Sequence, residues 1–186
     1  MEPITYLVVD GENIDATLGV SVLDHKPAPE ERPRWDRVLT STREVWDQNA
    51  KGLFFLNASS GYLPMGFIQA LLAMEFRPVP LAGSSHLEIV DEGIKKLLNA
   101  IADQGHGDVI LASHDGDFVP EIERLLHAGR RVGIMGFPEF LSGNLHELVH
   151  QGLEILDMEH DIHAFQVPLP RLEIIELDEF NPYDFL

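Results

Sequence analysis

The sequence contains no cysteine. Disulfides and thiolate metal sites are excluded, and the redox compartment stays open. Basic residues are scarce, 13 lysines and arginines against 31 aspartates and glutamates, for a formal net charge of −18. Such a surface repels polyanions at long range, which weighs against tight nucleic-acid binding by the protein alone. Long apolar runs are missing too, and none approaches the ~18 residues that cross a bilayer. The chain enters Ile4-Thr5-Tyr6-Leu7-Val8-Val9 directly, without a basic n-region or a small-residue cleavage site, so no signal peptide is expected. A cytoplasmic protein without membrane contact is the resulting expectation. There is no P-loop, no G-x-G-x-x-G fingerprint and no G-x-S-x-G elbow, so ordinary nucleotide folds and serine hydrolases lose support.

What is present reads as alternating strands and helices. Apolar runs at Tyr6–Asp10, Gly52–Leu56, Pro78–Leu81, Asp108–Ala112, Val132–Gly136 and Leu153–Leu156 predict strands. Helical spacing predicts helices over Asn13–Leu23, Trp35–Asn49, Leu63–Phe76, Glu88–Ala102, Val119–Ala128 and Ser142–Gln151. Pro78 and Pro80 suit a sheet edge better than its centre. The alternation predicts βαβ units, and with them an α/β fold: a three-layer α/β/α sandwich around a mainly parallel sheet. One domain over residues 1–160 is expected, followed by an acidic tail at 161–186. From Asp157 onward eight acids face Arg171 alone, which places −7 of the net charge in the terminal stretch.

Two acidic corners stand out. Val8-Val9-Asp10-Gly11-Glu12-Asn13 and Ala112-Ser113-His114-Asp115-Gly116-Asp117-Phe118 each follow an apolar strand. In doubly wound sheets, ligands bind beyond the carboxyl ends of the strands, where the strand order reverses. If the first and fourth strands are neighbours there, Asp10 and Asp115 converge on a shared divalent cation. An acid directly after a buried strand needs a partner, and no basic residue stands near Asp10 in sequence.

These two stretches, in this order, resemble the NYN domain, a branch of the PIN-like nuclease superfamily related to the LabA/DUF88 proteins. The resemblance covers roughly Thr5 to Met158, and Asp91 fits the acid that the family places at the start of the helix after the third strand. Leu87-Glu88-Ile89-Val90 departs from the usual lysine-glycine pair there, and the tail from Phe165 has no counterpart. The resemblance implies a PIN-like, Rossmannoid fold and a metal-dependent ribonuclease that hydrolyses RNA phosphodiester bonds. Asp10, Asn13, Asp91, Asp115 and Asp117 would be its catalytic residues. Asp10 and Asp115 would bind Mg²⁺ or Mn²⁺ directly, with Asp91 and Asp117 completing the cage. Ser113, Lys95 and Asn57 are the candidate substrate contacts.

Other readings stay open beside this one. Asp117 also fits a helix N-cap, and Asp91 a helix-dipole partner. A haloacid-dehalogenase-like phosphatase shares the fold, but its D-x-D nucleophile motif is Asp10-Gly11-Glu12 here. His146-Glu147-Leu148-Val149-His150 matches the zinc motif H-E-x-x-H, yet a surface helix explains it better. The alternative of another class is a non-catalytic regulatory or scaffold protein with a PIN-like fold. It would act through protein contacts, with Leu172–Leu177 adding an edge strand to a protein partner or a second copy.

Overall fold

The computed structural model describes residues 1–186 apart from Ser85 and Leu87, so the Leu87 departure lies outside the described residues. Six strands form one all-parallel sheet: β1 (Ile4–Asp10), β2 (Asn49–Asn57), β3 (Phe76–Leu81), β4 (Asp108–Ala112), β5 (Val132–Gly136) and β6 (Glu154–Asp157). Their spatial order is β3-β2-β1-β4-β5-β6. Chain progression reverses between β1 and β4, the neighbours that the acidic corners require. The register pairs Val9 with Ala112, so both strands deliver their corners to the same edge.

Burial explains the layering. Leu7, Val8 and Val9 of β1 and Val109, Ile110 and Leu111 of β4 are all fully buried, as expected of central strands covered on both faces. On one face Leu7, Val9, Phe54 and Ile110 pack against α1 (Gly11–Ala16), α2 (Trp35–Val45) and α3 (Met65–Ala73). On the other, Val8, Phe55, Leu111 and Ile134 meet α4 (Ile89–Asp103), α5 (Val119–His127) and α6 (Gly143–Glu147). This is the expected three-layer sandwich. Pro78 and Pro80 lie on β3, an edge strand, where a missing N–H costs no ladder bond.

Several boundaries differ from the periodicity. The helix expected over Asn13–Leu23 is α1 followed by a π-helical stretch, Thr17–Leu23, closed by Asp24 in the left-handed region. The second helix stops at Val45, and β2 begins already at Asn49. Its first residues alternate exposed Asn49 and Lys51 with buried Ala50 and Gly52, a half-buried strand entry that polar residues disguise. The expected tail boundary is also too early. Ile162, Ala164 and Leu169 sit in the core, and only from Leu172 is every side chain exposed. Leu172–Leu177 forms no strand. Among the described residues, no helix is long and apolar enough to cross a membrane.

Candidate functional site

Asp10 ends β1 and Gly11 opens α1. A Cβ at Gly11 would run into the ring of Phe54, so only glycine lets the chain turn this close to β2. Asp10 is 3 % exposed and is held from two sides. The Ser113 hydroxyl donates to its Oδ2 at 3.0 Å, and the Asn13 N–H also reaches the carboxylate. Ser113 in turn accepts from the Asp115 N–H at 3.2 Å. One hydroxyl thus ties the β1 corner to the β4 corner.

Beyond β4 the chain folds into a short 3₁₀ turn, Gly116–Phe118, before α5. Asp115 caps that turn by accepting from the Asp117 N–H at 2.9 Å. The capping considered for Asp117 therefore belongs to Asp115, and the Asp117 carboxylate is exposed. Asp91 comes from the first turn of α4, with Glu88 at the N-cap position. Asp91 lies within hydrogen-bond reach of Asp115 and Glu88, and it feels the charge of Asp10. Glu88, Asp91 and Asp117 each have an oxygen within 4.8 Å of the others'. Five acids from three segments meet at one sheet edge.

Electrostatics follow from that crowding. Burial, then repulsion from Asp10, then the contact with Asp115 push Asp91 up to about 8. Burial raises Asp10 to about 6, opposed by the bonds from Ser113 and Asn13. Carboxylates this close cannot all ionise, so a proton or a cation must be shared among them. Oxygen-only donors fit a hard ion such as Mg²⁺ or Mn²⁺, and Glu88, Asp91 and Asp117 are the residues placed to hold one.

A polar pocket of about 340 Å³ opens on this cluster, lined by Asp10, Glu12, Asn13, Asn57, Glu88, Ile89, Val90 and Asp91. Of the expected site residues, Asp10, Asn13, Asn57 and Asp91 line it, while Ser113, Asp115 and Asp117 do not. Lys95 does not line it and pairs instead with Glu92 at 3.7 Å. Sequence reasoning missed Glu12 and Glu88 as lining residues; Glu12 stands in the Asp10–Asn13 corner, and the only signal of Glu88 was its place one turn before Asp91. His146 and His150 are both exposed, and the helix carrying them changes to a 3₁₀ turn at Leu148. His146 Nε2 lies 2.9 Å from the Pro138 carbonyl oxygen, as a surface histidine satisfying a loop would.

No family model matches the chain. A D-ribose pyranase from Streptomyces griseus subsp. griseus is 38 % identical over 92 residues, which take in 47 % of this chain and 71 % of the relative. That relative overturns the ribonuclease expectation, because it is named for an enzyme of D-ribose and not for a nuclease. The scaffold alternative falls with it. The physical reason for the error lies in the fold: an acidic strand edge reports sheet topology, and the same edge serves many substrates. At this identity and coverage the chain belongs to the D-ribose pyranase family, a family of enzymes.

Proposed function

We propose that the chain acts on a small sugar, ribose or a close relative, by opening and closing its hemiacetal ring. One observation carries the reading: the acid-lined pocket of about 340 Å³ at the β1/β4 edge. That volume is at the small end for ligand sites, which suits a monosaccharide. The walls supply mostly hydrogen-bond acceptors, and a sugar presents a ring of hydroxyl donors. The relative's name points to the pyranose form of ribose.

Opening a pyranose takes a proton from the anomeric hydroxyl, breaks the bond from C1 to the ring oxygen and gives that oxygen a proton. Closing on a different hydroxyl reverses these steps and leaves the furanose. Nothing is oxidised or reduced, and one base and one acid suffice. Asp91, protonated at neutral pH because burial and its acidic neighbours raise it, is the acid. Asp10, held by Ser113 and Asn13, is the base.

A second reading rests on the close approach of Glu88, Asp91 and Asp117. A Mg²⁺ or Mn²⁺ ion held there would offset the acidic charge and orient sugar hydroxyls. Magnetisation-exchange NMR on ribose tests both readings. Faster pyranose–furanose exchange that survives chelation supports the acid–base pair, and exchange that needs added Mn²⁺ supports the ion. No acceleration under either condition overturns the proposal.

A further inference from the structure

His114, next to Asp115 in the β4 corner, is buried, 6 % exposed. Its ring is clamped between two named partners. The Phe137 N–H donates to Nε2 at 2.8 Å, so Nε2 carries no proton and the neutral ring keeps its hydrogen on Nδ1. Nδ1 lies 3.0 Å from Asn13 Oδ1, which also accepts from the His114 backbone N–H at 2.9 Å. Two donors on one side fix which atom of the Asn13 amide is oxygen. The NH₂ group takes no part in these two bonds, and Asn13 is one of the residues that line the pocket.

We propose that His114 is a positioning residue: it locks the Asn13 amide so that its NH₂ donates to substrate in a pocket walled mostly by carboxylates. The proposal deepens the sugar reading above and rests on it for the identity of the substrate. The pocket needs such a donor. Carboxylates accept from a sugar's hydroxyls, but an oxygen that gains negative charge as the anomeric proton leaves is stabilised by N–H or O–H donors or by a cation, and not by ionised carboxylates. A free asparagine would present either end of its amide to the pocket. With Oδ1 doubly occupied, rotation costs two hydrogen bonds in a partly buried setting. Gly136 belongs to the same device. A Cβ there would approach His114 Nε2 to 2.7 Å, so β5 must carry glycine for the ring to reach Phe137. Phe137 also stacks parallel to the imidazole, with centroids 5.7 Å apart.

Isosteric replacements separate the two ends of the ring. His114→Asn places an amide N–H where Nδ1 was and keeps the donor to Asn13, whereas His114→Gln keeps only an acceptor for Phe137. The expectation is that His114→Gln lowers kcat for ribose ring exchange by about tenfold with KM changed less than about twofold, and that His114→Asn restores most of it. Asn13→Asp keeps an oxygen for His114 but removes the NH₂, and it should match the His114→Gln loss. Equal loss in His114→Asn and His114→Gln, tracking a common fall in melting temperature, would reduce His114 to a packing residue and overturn the proposal. A readout independent of turnover covers the case of an inactive wild type: ring ¹⁵N shifts should show Nδ1 protonated and Nε2 bare. The opposite tautomer overturns the positioning role, whereas an inactive protein with the expected tautomer overturns only the sugar reading.

Discussion

Two acidic clusters sit on this protein, and they have opposite character. At the β1/β4 edge, Asp10, Glu88, Asp91, Asp115 and Asp117 gather with no arginine or lysine paired to them among the described residues. At the far side of β6, Glu139, Asp157 and Glu159 surround one guanidinium, that of Arg171. It makes a two-pronged pair with Glu139, reaches Asp157 at 2.9 and 3.0 Å and Glu159 at 3.3 Å, and lies over the Phe137 ring at 5.0 Å. Asp10 and Asp91 are pushed up. Burial pushes Glu139 and Asp157 up, but the Arg171 bonds, nearby backbone N–H groups and the Arg171 charge together outweigh it and hold both low, and Arg171 itself is raised. The residue types are the same, so the partner decides. A carboxylate cluster supplied with its own cation is a brace, and one left without is chemically poised.

The largest effect expected is on the brace. Arg171→Met strands three partly buried carboxylates and should cost roughly 3 kcal/mol in urea unfolding, because removing one partner leaves uncompensated charge. A loss near zero would mean that the brace is only a surface network. Next comes Asp91→Asn at the other cluster, which should lower ribose ring exchange about 100-fold, the worth of a general acid. That substitution should leave folding intact, the reverse of the Arg171 outcome, and a folding defect of similar size would erase the contrast.

Acid–base behaviour sharpens the same comparison on a smaller scale. A carboxyl raised in the folded state contributes stability that is full below its ordinary value of 3.8 and lost as pH climbs through the folded value, about 8 for Asp91. His114 acts the other way. Burial lowers it from 6.5 to about 4, so it destabilises the fold as pH falls below 6.5. Above that point the raised carboxyls act together with the exposed His25, which its bond with Glu31 raises and which adds a small slope of the same sign. In chelator, the melting temperature should fall from pH 6.5 to about 8.5, and Asp91→Asn should flatten the slope. The Arg171 brace, with its acids held low, contributes no slope in this window. Smallest of all is the effect of removing residues 172–186. All of them are exposed, so a chain ending at Arg171 should match the full chain within about 0.5 kcal/mol, while one ending at Pro170 should show the Arg171 defect.

Sequence pattern revealed the fold because its central strands are unambiguous. Val8-Val9 and Ile110-Leu111 read as buried on both faces, and the alternation with helices allowed few topologies. Asp10, Asp115 and Asp117 followed from strand ends, and Asn57 from leaving β2 at the same rim. Other features depend on contacts between distant residues. Arg171 looked like a lone cation in an acidic tail, since its three partners lie 12 to 32 residues upstream. Glu88 stands just ahead of α4, where no sequence periodicity marks direction. His114 was legible only as a neighbour of Asp115, because its role depends on Phe137 and Asn13, which other elements bring to it. The substrate was the deepest miss: carboxylates at a switch point announce a site without saying what enters it.

The most direct test is where ribose binds. In protein labelled with ¹⁵N, titration with ribose should move the side-chain amide signals of Asn13 and Asn57, which line the pocket, and leave those of Asn49 and Asn181 in place. Shifts at Asn49 or Asn181 with Asn13 and Asn57 unmoved would put the sugar elsewhere and contradict the assignment of the unpaired acidic cluster as the site.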